Sequence, residues 1–293
     1  MNLRAAIATL VALALAACQE APPPSDEGVA RPILYEVADG TGNVQAWLFG
    51  TIHALPDGTK WRSEKLNQSI DRAGMLMVEI AALENEPRTR SVFARLATTP
   101  GQPDVGLKVN ASDRPRLFEM IRKTGLSPRE LSATETWAVA LLLAQLGGTG
   151  DAENGADRAI VRAFLGREII EFEGVEMQLG IFDQLPEREQ RDLLSAVIDE
   201  YKEVRKDPSK LRRAWLEGDE STLLQAMNTG ILSDPELREA LLVGRNQAWL
   251  EQLEPRIETG DRPFVAVGTA HLLGDDGLIQ MLRDRGYKVS RLQ

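Results

Sequence analysis

Apolar residues fall in short runs near both ends of the chain and at helical spacing through its centre. Ile33–Val37 and Gln45–Ile52 read as strands, and the turn residues of Gly40–Asn43 between them predict a hairpin. Ser63 opens a short helix over 63–73, and Met75–Ile80 is a continuous apolar run after Gly74 that reads as a buried strand. This strand, helix, strand order fits a right-handed parallel βαβ unit, which sets the Glu79 strand beside the strand that leads to His53.

The centre predicts helices over 113–124 and 128–147, the second apolar nearly all round and so buried. Asp157 starts another, Glu168–Phe172 reads as a further strand, and Pro186 opens a long polar helix. Helical segments then cover 208–217, 219–229 and 235–258. The chain closes with a strand at Pro263–Val267, a helix at Asp276–Arg285 and a last strand at Tyr287–Ser290. The expected fold is α/β, with a mixed or mostly parallel sheet built from two repeat-related β/α ends and a large helical insertion over about 100–260.

Residues 1–17 predict an export signal: Arg4 supplies the positive charge, and Ala5–Ala17 is apolar and too short to span a bilayer. Leu15-Ala16-Ala17-Cys18 resembles the bacterial lipobox, in which the cysteine is lipidated and becomes the first mature residue. Gln19, rather than Asp, at the next position places the expected anchor in the outer membrane of a Gram-negative envelope, facing the periplasm. Residues 18–31, with three consecutive prolines, read as an extended tether, and 32–293 as one domain.

Composition narrows the chemistry. The charge balance of 34 Lys+Arg against 44 Asp+Glu gives −10, which argues against nucleic acid as a partner. One cysteine excludes a disulfide framework and any multi-cysteine metal site. Two histidines in 293 residues mean that any imidazole chemistry uses one or both.

Those two share a setting. Gly50-Thr51-Ile52-His53 and Gly268-Thr269-Ala270-His271 each follow an apolar strand and precede a leucine at the same offset. The coincidence has a chance below about one in ten thousand, which points to an internal repeat. In open α/β sheets ligands bind outside the carboxyl ends of the strands. Side by side, such strands would place His53 and His271 on two walls of one pocket.

Glu79 lies in an apolar run, where a carboxylate needs a cation or a hydrogen-bonding partner. Two histidines and one carboxylate form a known ligand set for zinc, iron or manganese, so His53, Glu79 and His271 are the candidate metal ligands. Glu173 ends another strand and reads as a further pocket acid or a loop anchor. Asp157 reads as a helix-start carboxylate or a pocket acid. Arg245 reads as a surface residue or as one facing a phosphate or carboxylate.

GTIH, the strand-borne Glu79, GAD, the Arg245-Asn246 pair and the block FVAVGTAHLLGDDGLIQMLRDRGYKV together resemble the TraB/GumN family over roughly residues 31–293. That family is related to the Tiki proteins, membrane-anchored metal-dependent proteases with two G-x-x-H motifs and a Glu. Its fold-level relatives include erythromycin-esterase-like and haem-binding lipoprotein groups. The resemblance implicates His53, Glu79 and His271, with Arg245 and Asn246 in support.

The expected function is a metal-dependent hydrolase of peptidase type, acting on a peptide or small molecule with Mn, Zn, Co or Fe bound. Glu173 or Glu79 would move protons, and Arg245 and Asn246 would position a carbonyl or stabilise an oxyanion. The alternatives are a haem- or metal-binding lipoprotein and a metal-independent histidine esterase. A G-x-S-x-G nucleophile elbow is absent from the sequence. Because the site rims a sheet, replacing either histidine is expected to cost within about 1 kcal/mol of stability.

Overall fold

The computed structural model describes residues 30–81, 86–148 and 150–293. The predicted signal, Cys18 and nearly all of the tether lie outside the described residues.

Six strands form one mixed sheet: β1 (Leu34–Ala38), β2 (Val44–Thr51), β3 (Met75–Val78), β4 (Glu168–Glu171), β5 (Pro263–Gly268) and β6 (Lys288–Arg291). Their order across the sheet is β4-β3-β5-β2-β1-β6. The predicted hairpin is present, with β1 antiparallel to β2 in the register Leu34↔Phe49. Strands β4, β3, β5 and β2 all run parallel.

One expected neighbour relation is corrected. The βαβ reading put the Glu79 strand directly beside β2, but β5 lies between them and pairs with both. Local sequence cannot show this, because the intervening strand comes from the far end of the chain. β5 has the composition of a central strand: Phe264, Val265 and Val267 are fully or almost fully buried.

Alternate residues of these strands feed two apolar layers, as the two-residue strand period requires. Leu48, Met77, Val265 and Val267 pack against Trp249, Leu253, Leu278 and Leu282 on one face. Trp47, Phe49, Leu76 and Phe264 pack against Leu66, Ile70, Ile160 and Trp215 on the other. The product is a sheet sandwiched between helices.

The helical middle divides. Residues from Ala97 to Tyr201, with Leu237 and Leu241, build a separate helical core around Trp137, Leu193 and Ile198. The helices Ala156–Ala163 and Gly244–Glu258 return to the sheet instead, and β4 extends its edge. A helix over Glu86–Leu96 was not read from the sequence. The expected single helix over 235–258 is interrupted by a π-helical turn at Glu239–Val243.

Candidate active site at the ends of the parallel strands

The four parallel strands deliver their carboxyl ends to one edge of the sheet. His53 follows β2, Glu79 follows β3, Glu173 follows β4, and Gly268 closes β5 with His271 in the short turn beyond it. The site residues read from the sequence therefore converge, although the segments carrying them span more than two hundred positions.

His53 Nδ1 lies 2.7 Å from Asp157 Oδ2. The loop after β2 is fastened to the segment carrying Asp157 by paired backbone bonds between Leu55 and Asp151 and by Ala156 N–H donating to Ile52 O at 2.9 Å. Gly155 permits this approach. A Cβ there would stand 2.4 Å from His53 O and 2.4 Å from Asp157 Oδ1. The His53 side chain is 75% exposed, and its Nε2 has no protein partner among the described residues. The hydrogen bond to Asp157 pushes the His53 pKa up to about 9 against the opposing effect of desolvation.

His271 has the opposite environment. It is 6% exposed, with its ring 4.3 Å from that of Trp249. Its Nδ1 lies 2.7 Å from Asn246 Oδ1, which only accepts, so the ring carries its proton on Nδ1. Nε2 then accepts from Arg245 Nη1 at 3.1 Å. Burial pulls the His271 pKa down to about 3, and the ring stays neutral at physiological pH.

Arg245 occupies the centre. Nε and Nη2 form a fork on Glu173 at 2.7 and 2.8 Å, Nη2 also donates to Glu79 Oε2 at 2.9 Å, and Nη1 donates to Leu241 O at 3.0 Å as well as to His271. All five guanidinium N–H groups are engaged. Asn246 is likewise saturated: its amide donates to His271 O and Asp276 O, and it is fully buried. Neither residue has a donor left for a substrate oxyanion, so both hold the site together. The π-turn directly before them sets the angle at which this helix presents Arg245, Asn246 and Trp249, a use of π-turns common at functional sites.

The acids are also committed. Glu173 accepts from Arg245 and from Trp249 Nε1 at 2.9 Å, and its side chain is 4% exposed, which removes it as a general base. Glu79 Oε1 accepts from Gly268 N–H at 2.7 Å, and Oε2 accepts from Gln178 Nε2 at 2.9 Å as well as from Arg245. Burial works against ionising Glu79, but His271, charged in the acid range where Glu79 titrates, together with Arg245 and the Gly268 N–H outweighs it and holds the carboxyl at about 2.

The proposed metal ligands meet a geometric obstacle. His271 Nε2 and both Glu79 oxygens already accept N–H bonds, and the Arg245 guanidinium stands where a cation would bridge them. Among the described residues, no group of three or more His, Cys, Asp or Glu side chains is arranged to hold a metal ion. As placed, the set does not fit a divalent ion.

Sequence reading passed over Gln178 and Trp249, and left Asp157 undecided between a helix cap and a pocket acid. The signal for Asp157 lay in the GAD triplet, whose glycine is the close-approach residue.

Fold and site define an α/β protein with an exposed histidine backed by an aspartate, beside a buried Arg–carboxylate cluster. The chain belongs to the TraB/PrgY/gumN family, whose model matches residues 33–291. It is similar to proteins of Shigella flexneri and Escherichia coli (strain K12), both titled "Uncharacterized protein YbaP". Each is 27% identical over 249 residues, which covers 83% of this chain and 89% of the relative. No solved structure matches.

Proposed function

We propose that this protein is a hydrolase of carbonyl compounds, esters or amides, in which the His53–Asp157 pair moves the proton. The single observation that carries this reading is the 2.7 Å contact between His53 and Asp157 on a ring that lines an open cleft. The carboxylate orients the imidazole and favours its charged form, as in other histidine–carboxylate pairs. Unprotonated Nε2 would take a proton from water as that water attacks the carbonyl carbon. The resulting imidazolium would return the proton to the leaving oxygen or nitrogen.

The test is hydrolysis of a panel of nitrophenyl esters and peptides by the full chain, with and without a chelator. Activity lost in His53→Ala, sharply reduced in Asp157→Asn and indifferent to chelation is the expected result. Full activity in either variant would overturn the proposal.

A metal-dependent peptidase is the second reading. Its support is the carboxylate behind His53 Nδ1, the arrangement that commonly backs a metal-bound histidine. It requires Arg245 to leave His271 and Glu79, and chelator-sensitive activity would favour it. We further propose that Cys18 carries a lipid anchor in the outer membrane, facing the periplasm; incorporation of labelled palmitate, abolished by Cys18→Ser, is the check.

A further inference from the structure

The cleft beside His53 contains an amide side chain whose capacity is not fully taken up. Arg245 and Asn246 have no donor free, and Glu79 accepts on both oxygens. Gln178 differs. Its amide nitrogen lies 2.9 Å from Glu79 Oε2, and a carboxylate only accepts, so the nitrogen and not the oxygen must face it. This leaves one N–H and Oε1 of Gln178 without a protein partner among the described residues, on a side chain that lines the cleft.

The walls around that amide are apolar. Val78, Ile80, Val161 and Ala266 line the same cleft. The charged side chains lining it are Glu79, Asp157 and His53, and Arg245 pairs with Glu79 and Glu173 behind them; among these described groups three carboxylates face two cations, an excess of negative charge that disfavours an anionic ligand.

We propose that Gln178 holds the carbonyl oxygen of an uncharged substrate whose neighbouring group is apolar, an inference that rests on the hydrolase reading for its chemistry. The remaining Gln178 N–H donates to that oxygen. Glu79 fixes the amide in advance, so the donor is already oriented when a ligand enters. Selectivity then comes from one amide and an apolar wall, a frequent composition for small-ligand pockets.

Binding tests this without requiring turnover. The chain has two histidines, so the imidazole NMR signals are few, and that of His53 reports on the cleft. Butyramide and butyrate are titrated into the full chain and into Gln178→Met, which keeps the bulk and removes the amide. Butyramide is expected to move the His53 signal and to bind about tenfold more weakly to Gln178→Met, the loss of roughly one hydrogen bond. Butyrate is expected to bind neither protein. An unchanged His271 signal reports an intact fold, and if Gln178→Met does not fold, Gln178→Asn, which retracts the amide, is expected to weaken butyramide binding in the same direction. Equal butyramide affinity in the parent and the variant, preference for butyrate, or no response to either ligand would each overturn the inference. Butyramide binding that depends on Gln178, in a protein that hydrolyses no ester or peptide, would uphold it while removing the hydrolase reading.

Discussion

Thr51 stands opposite Gly268 in the sheet, and Gly50 opposite Val267, so the two Gly-Thr-x-His segments run side by side one residue out of step. A one-residue offset reverses the face on which equivalent side chains emerge. Gly50 accordingly packs beneath Thr269, where a Cβ would lie 2.7 Å from Oγ1. The histidines that follow these strands diverge as well, one in an open cleft and one in a closed interior.

The two histidines should therefore respond differently to replacement. His53→Ala is expected to abolish activity and change stability little, because the side chain is 75% exposed. His271→Ala is expected to cost about 2–4 kcal/mol, since it removes a buried ring and leaves Asn246 and Arg245 with unmet hydrogen bonds. Urea unfolding of both variants measures this. The small cost that a rim position implies is thus expected of His53 alone.

Acid should destabilise the protein through His271 before it does so through the carboxylates. The folded pKa lies below the unfolded value, so between about 6.5 and about 3 the unfolded chain binds the extra proton and stability falls as pH falls. By pH 5 the loss is about 2 kcal/mol. Glu79 acts in the same direction lower down, its contribution present above about 4.5 and lost as pH falls toward about 2. Denaturant midpoints at pH 7 and pH 5 should differ in the parent and differ less in His271→Gln.

His53 has the opposite sign. Its folded pKa is raised, so the stability it contributes is fully present below about 6.5 and is lost as pH rises through about 9. Solvent screening at this exposed ring keeps that contribution small. Catalysis by its unprotonated form should rise with pH toward about 9. Asp157→Asn should move the limb of the pH–rate profile downward and reduce kcat.

Much of the architecture was readable because hydrophobic runs are local signals. Ser63 capping its helix, the β1–β2 hairpin and the closing strand, helix, strand order are all present. The insertion of β5 between β2 and β3 was not readable, since pairing between strands so distant in sequence leaves no local mark. The site residues could be found from the odd placement of His53, Glu79 and His271, but their roles depended on partners. Arg245 looked like a donor for substrate until its neighbours accounted for every N–H.

Gly155→Ala tests the approach that brings the cleft pair together. Its Cβ would meet the His53 carbonyl and the Asp157 carboxylate at 2.4 Å, inside contact distance for both. The expected result is loss of activity, with the His53 pKa returning toward 6.5 by NMR titration.

Arg245→Lys should behave as a severe change. A lysine supplies one point charge where a planar fork served two carboxylates, a carbonyl and an imidazole. Stability is expected to drop by about 3–5 kcal/mol, read by chemical denaturation, because Glu173 would be left buried with incomplete compensation.

The late strand β5 at the middle of the sheet has a temporal consequence. During synthesis, residues 34–51 and 75–78 leave the ribosome long before residues 263–268, and the slot between β2 and β3 stays empty until then. A nascent or prematurely terminated chain lacks the seam joining the two halves, together with the Gly268 amide that anchors Glu79. The site therefore cannot assemble before β5 has been made, a consequence of strand order alone.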